Sequence, residues 1–450
     1  MRIPLTSAPK IILPLLTVFG LAACGSSSSD QNTTNDSTTI QLYNASANSS
    51  AITLSVDDSS LLSNIKFSDA STTYDIESTT YDISVSANDA QGDEQDIIEQ
   101  PVTLASNQHN LFVMHGDFSN TPELTQYVIN YPTLETDEVN LIFTNFSDIG
   151  SDYNLYIGVK DAEFEQAQLI GTLAKNQLSQ AQSFVENDYV IYLTDATDTL
   201  VFTSQDMPLY WQNTYIIALR DHFGPGAPAL AVDVLTTSTT VNSYNDVNAE
   251  AEFRVINAYD GLDSLTFKTD ASNGQQIIQT LDYNQSSEFH EVSFGDFQLS
   301  LSTSDDELLV NNMLFTLNQN ETKTVVLYNN ESGDVSGTII EQDVRPRAFE
   351  HELTLFNATF DYAEVDYYFV ASDATIETTP YHISSVEFEE IKQFIIPDGE
   401  YQIKVVHQDE QDNLTLLFQS QPIELTQSNY MLILQKDPAS SYGYQLNISQ

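Results

Sequence analysis

Short apolar runs bounded by Asn, Asp, Ser, Thr and Gly recur along almost the whole chain, and one of them is written four times. The copies are Ile40-Gln41-Leu42-Tyr43-Asn44-Ala45-Ser46, Leu141-Ile142-Phe143-Thr144-Asn145-Phe146-Ser147, Phe253-Arg254-Val255-Ile256-Asn257-Ala258-Tyr259 and Leu353-Thr354-Leu355-Phe356-Asn357-Ala358-Thr359. Their asparagines stand 101, 112 and 100 residues apart at positions 44, 145, 257 and 357. That interval suits a small all-β domain and is too long for a solenoid unit. Further runs follow each copy in the same order. The late runs are led by Asn110-Leu111-Phe112, Tyr215-Ile216-Ile217, Thr324-Val325-Val326 and Tyr430-Met431-Leu432. All alternate with period two or stay apolar for a few residues, which is how strands read.

These runs predict an all-β protein of four tandem Ig-like antiparallel β-sandwich domains. Repeat 1 covers 40–131, repeat 2 135–235, repeat 3 250–342 and repeat 4 350–450. An aromatic opens a middle strand in every copy (Tyr81, Tyr189, Phe297, Tyr401), and Gly295-Asp296 and Gly399-Glu400 precede the last two. Such rings would fill the space between two sheets. The polar stretch 236–249 reads as a linker. Asp343-Val344-Arg345-Pro346-Arg347 reads as a stiffer junction, because proline fixes its own φ and biases the residue before it toward extended geometry. Only Asp161 to Ser183, rich in Ala, Gln and Leu, hints at a helix.

The first residues follow another pattern. Arg2 and Lys10 flank a start without acids, Ile11 to Leu21 is apolar, and Leu21-Ala22-Ala23-Cys24 follows. The apolar run is too short for a permanent membrane helix and reads as a signal peptide over 1–23. Leu21 to Cys24 resembles the lipobox of bacterial lipoproteins. The resemblance implies that Cys24 becomes the lipid-modified N-terminus and anchors the protein to a membrane, and Gly25, not being aspartate, favours the outer membrane. Residues 24–39 would form the lipidated cysteine and a flexible polar tether. Cys24 is the one cysteine of the chain, so no internal disulfide can form and each domain depends on its packed core.

Charge narrows the partners. Acids number 65 against 14 Lys and Arg, a formal −51, and loss of the first segment with Arg2 and Lys10 leaves −53 (65 against 12). A field of that sign repels phosphate backbones and excludes nucleic acid as a partner, while keeping the protein soluble.

An opening strand ending in a polar and a small residue, a later Gly-acid-aromatic turn and a late aromatic-led strand together resemble the domain of unknown function 4397. That family has histidine where Asn44, Asn145, Asn257 and Asn357 stand, followed by a Pro-Asp-Ala-Pro-like loop that no copy here contains. The family occurs in bacterial cell-surface and secreted proteins, often in tandem, so the resemblance implies a fold and a location and no particular activity.

Candidate chemistry is sparse. Each repeated asparagine lies two residues beyond an apolar position and so faces the core. It would cap the strand end by bonding the following turn, or else contact a ligand. Acidic hairpins follow the aromatic-led strands, and Asp93, Asp96, Asp305, Asp306, Asp409 and Asp412 are weak Ca²⁺ candidates, since clustered carboxylates offer the oxygen ligands calcium takes. Acids with Asn and Gly are equally the composition of solvated turns, and no stretch matches an EF-hand loop. No cofactor other than this calcium is expected. His109, His115, His222, His290, His351, His382 and His407 lack metal spacing, nucleophile and phosphate-loop motifs are missing, and the expectation is a non-enzyme. Trp211 beside Tyr210 could be a sugar-stacking platform, or a core residue as a lone tryptophan more often is. The sequence therefore predicts an envelope lipoprotein with a structural or adhesion role toward a protein or glycan, the alternative being a ligand- or Ca²⁺-binding surface module.

Overall fold

The computed structural model describes residues 36–450 apart from 90, 150–151, 226–229 and 272–273. The signal segment, Cys24 and most of the tether lie outside the described residues. Ser37 to Thr39, expected in the tether, already belong to the first strand, Ser37–Asn44, where the Thr38 side chain is buried.

Each repeat is a sandwich of two sheets. In repeat 1 the first sheet runs Tyr74–Glu77, Ser37–Asn44, His109–His115, Glu123–Ile129, and the second Ser59–Ile65, Ile52–Val56, Thr80–Asn88, Glu94–Thr103. Repeats 2, 3 and 4 keep this order. Repeat 2 adds Asn242–Asn245 to the edge of its first sheet and pairs Met207–Leu209 with Asn187–Thr194 in its second; repeat 4 adds Ile423–Leu425 beside Gly399–Gln408. Stretch 236–249, expected as a linker, therefore contains a strand of repeat 2. The helix hinted at over Asp161 to Ser183 is a single 3-10 turn, Phe164–Gln166, followed by strands Gln168–Leu173 and, at its end, Gln182–Val185. Both strands are drawn out by edges that offer ladder hydrogen bonds, Tyr153–Val159 and Glu138–Asn145, and tertiary pairing overrides the weak helical propensity.

Pairing departs from the expected antiparallel pattern at one place in every repeat. The opening strand lies parallel to the late one, and the repeated asparagine falls opposite the same kind of residue each time: Asn44 opposite Met114, Asn145 opposite Leu219, Asn257 opposite Leu327, Asn357 opposite Leu434. Parallel strands tend to be covered on both faces and to read as continuous apolar runs. His109–His115 and Thr214–Asp221 are indeed buried at every position, whereas second-sheet strands such as Ile52–Val56 alternate buried and half-buried residues.

The second cover of each first sheet is another repeat. Tyr43, Leu111, Val113 and Ile129 of repeat 1 pack on Ile142, Phe146, Ile216 and Ala218 of repeat 2. Ile256, Val326 and Tyr328 of repeat 3 pack likewise on Phe356, Met431 and Ile433 of repeat 4. The two pairs also touch. Ala348 and Phe349, at the entry to repeat 4, join the core of repeat 1, and the Gln205 side chain of repeat 2 bonds Gln319 of repeat 3 at 3.4 Å. The four sandwiches thus close on one another instead of extending end to end, and residues 37–450 form one compact unit.

Candidate functional site

The repeated asparagines are fully or almost fully buried. In each, the amide oxygen accepts from the backbone N–H two residues on, at Ser46, Ser147, Tyr259 and Thr359 (2.9–3.2 Å). The amide nitrogen donates across the sandwich to the carbonyls of Ile65, Leu173, Leu281 and Val386 at 3.1, 3.5, 3.0 and 3.3 Å. Asn44 donates in addition to Ser49 Oγ at 2.8 Å. One side chain thus ties the end of the opening strand both to its own turn and to the facing sheet.

Below the acidic hairpins lies one shared loop. Its first side chain, Asp89, Asp195, Thr303 or Asp409, accepts backbone N–H groups two and four residues on. The fourth residue, Gly92, Asp198, Asp306 or Asp412, sits in the left-handed region at φ between 60° and 80°, which Gly adopts freely and Asp tolerates. Asp409 and Asp195 are held below the usual carboxylate range, chiefly by bonds from the Asn413 and Thr197 side chains. Asp93, Asp96, Asp305 and Asp306 point outward in or beside these turns, and Asp412 accepts from Gln408 Nε2 at 3.0 Å. Among the described residues no group of three or more His, Cys, Asp or Glu is arranged to hold a metal.

Two polar constellations escape sequence reasoning. The first joins repeats 1 and 2. Asp233, with no exposed surface, accepts from Arg220 Nε at 2.8 Å, from the Tyr43 hydroxyl at 2.8 Å, and from Ser68 and Ser243 at 2.6 Å each. Burial works against the charge on Arg220, but the fields of Asp233, Tyr43 and Asp221 together with the Asp233 bond outweigh it and raise the guanidinium; burial, reinforced by Asp233, pushes the Tyr43 phenol well up. Arg220 also lies 5.1 Å over the Phe67 ring, and Arg345, from the junction before repeat 4, lies 5.4 Å from it. A charge inside Leu230-Ala231-Val232-Asp233-Val234 was the available signal, because a carboxylate in a wholly apolar strand needs a buried cation.

The second lies where repeats 1 and 4 meet. The Gly92 turn abuts Pro397 and Tyr381, so closely that an added Cβ would stand 2.7 Å from Pro397 Cγ. Asn88 donates to Glu350 at 2.6 Å. Clefts of about 590 and 570 Å³ flank this contact. Asn88, Glu94, Glu350 and Tyr381 line the first; Tyr381, Asp373, Thr378 and Glu400 line the second. Sequence spacing gathered neither cleft, since each takes residues from both repeats, and Gln91 and Tyr381, which meet here, lie 290 residues apart.

Histidines are dispersed. Burial lowers His109 and His222 to about 4, and His351 is buried between Ser428 O (2.7 Å) and the Asp398 carboxylate. Trp211, weighed as core or platform, is 87% exposed.

The geometry defines a protein of tandem β-sandwiches in which the recurrent polar residues hold strands and turns together. Residues 38–156, which take in all of the first sandwich but Ser37 and reach the second strand of the next, match the family model of the domain of unknown function DUF4397, as the opening-strand motif suggested. No curated protein matches the chain. Among solved structures, the Bacillus anthracis TIE protein is 10% identical over 85% of this chain and 65% of its own, at a TM-score of 0.16. This chain therefore spans slightly less than two thirds of that one. A tetra-tandem repeat from the extending region of a large adhesion protein is 8% identical over 86% of this chain and 99% of its own, at a TM-score of 0.10. At such scores the likeness carries no inference about fold or function.

Proposed function

We propose that this is a non-enzymatic protein of the bacterial cell envelope, anchored through lipid on Cys24 at the outer membrane and serving a structural or adhesion role toward a protein or glycan. The observation that supports the reading is the joining of the sandwiches in two pairs through first sheets covered on both faces, with the pairs in contact. Such a body presents its outer sheets and loops at fixed spacing, which suits a scaffold or a multipoint contact surface. Protease shaving of intact cells, with lysed cells as control and an antibody against repeat 4, tests it. Removal from intact cells supports an outward adhesion role. Survival until lysis turns the reading to a periplasmic structural role, and an unlabelled protein after feeding radioactive palmitate, with Cys24→Ser as reference, sinks the anchor.

The clefts at the junction of repeats 1 and 4 favour a second reading, capture of a small polar ligand, since their volumes lie in the range of ligand sites and their rims are amides, hydroxyls and carboxylates. Calcium capture through the acidic loops is the weaker form of this reading, because the first side chain of each loop, a carboxylate in three of the four, already accepts backbone N–H groups. Calorimetry with millimolar Ca²⁺ that records no heat removes it.

A further inference from the structure

Trp211 is the one tryptophan of the chain, and it stands almost fully in solvent although the protein has several cores to receive it. Its backbone is fixed in an unusual way. Trp211 and Gln212 both adopt left-handed conformations, at φ 76° and 41°, which bulky residues avoid unless their surroundings enforce them. The enforcing contacts are visible: the Gln212 N–H donates to Glu186 Oε1 at 2.6 Å, Gln212 Nε2 donates to the Glu135 carbonyl at 2.8 Å, and the Tyr215 hydroxyl donates to the Tyr210 carbonyl. Beside this loop Val185 is 63% exposed, while Tyr210 bonds Asp188 and feels Glu186.

We infer that this tip of repeat 2 is a stacking platform for a neutral glycan, with the Trp211 indole against a sugar face and Glu186, Asp188 and Gln212 beside it as partners for hydroxyl groups. An exposed flat ring on a backbone held by these bonds, bordered by carboxylates and amides, matches a ligand whose one face is C–H and whose rim is O–H. The carboxylates, in a chain of net charge −51, disfavour anionic polysaccharides and anionic lipid headgroups. The inference rests on the interaction role proposed above and names the class of partner.

Because the chain has a single tryptophan, its fluorescence reports this site alone. The full chain, carrying Cys24→Ser to keep it soluble, is titrated with the neutral hexasaccharides of cellulose, chitin, laminarin and amylose. The expected result is a saturable change in emission intensity and wavelength with at least one of them. Calorimetry with that sugar should then show roughly a tenfold loss of affinity for Trp211→Ala, recovered largely by Trp211→Phe, at unchanged circular dichroism. A silent titration with all four overturns the proposal, as does sugar binding that Trp211→Ala leaves intact. An emission shift with phosphatidylcholine vesicles and none with sugars overturns it in favour of a membrane surface. Since these are measurements on purified protein, a failure here leaves the cell-shaving result standing, and a failure there leaves the sugar titration standing.

Discussion

Replacing Asn257 tests whether the repeated asparagine holds each sandwich together. In Asn257→Ala the Tyr259 N–H loses an acceptor 3.2 Å away and the Leu281 carbonyl loses a donor 3.0 Å away, at a site with no solvent exposure. A buried polar group left without its partner costs about 1–3 kcal/mol, so two of them place the loss near 3 kcal/mol, within a range of roughly 2–6. Asn257→Asp sharpens the test. The carboxylate still accepts from Tyr259 N–H, but it turns a second oxygen toward Leu281 O and brings an unpaired charge into the core, which costs more than a lost hydrogen bond. The expected order of stability is Asn, then Ala, then Asp. A unit of four fused sandwiches need not unfold in one step, so the assay is hydrogen exchange across residues 250–342 during a urea titration. A loss below about 1 kcal/mol for Ala, or an Asp variant as stable as the parent, refutes the reasoning.

Other variants address the contacts between repeats and the loop at Trp211. Arg220→Met leaves the Asp233 charge buried with hydroxyl donors alone and should cost about 3–5 kcal/mol, read as faster exchange in 37–44 and 109–115; adding Asp233→Leu should recover much of it, and no recovery would mean that packing, not charge, holds the two repeats. His109 has its folded-state value near 4 because burial disfavours its charged form, against about 6.5 unfolded. Its contribution is therefore complete above pH 6.5 and disappears as the pH falls toward 4, a term on the order of 3 kcal/mol. His109→Phe should flatten the melting temperature across that window, and an unaltered slope counts against the assignment. Trp211→Gly relieves a left-handed backbone that costs a bulky residue roughly 1–2 kcal/mol, partly offset by the freer unfolded chain. It should raise the melting temperature slightly while weakening sugar binding about as much as Trp211→Ala does, and a lower melting temperature would show that the ring packs after all.

What the sequence could determine by itself was local and periodic. Alternation of apolar and polar residues set the strands, the spacing of Asn44, Asn145, Asn257 and Asn357 set the number of sandwiches, and Asp, Asn and Gly at fixed offsets marked the turns, because each of these depends on residues near in the chain. The same locality misled at Asp161 to Ser183, where composition suggested a helix and neighbouring strand edges imposed strands, and at 236–249, where a polar stretch found a partner in Leu230–Leu235. It also left the tryptophan undecided, since burial depends on what the rest of the fold brings near. Runs such as Tyr215-Ile216-Ile217-Ala218-Leu219 did carry a hint of burial on both faces, but not of what would cover the second face. Only the tertiary structure decided that sandwich would cover sandwich, that Asp233 of one repeat would receive Tyr43 of another, and that the Gly92 turn would meet Tyr381. Such contacts depend on shape and charge matching between surfaces far apart in sequence, and no pattern within one repeat records its complement in another.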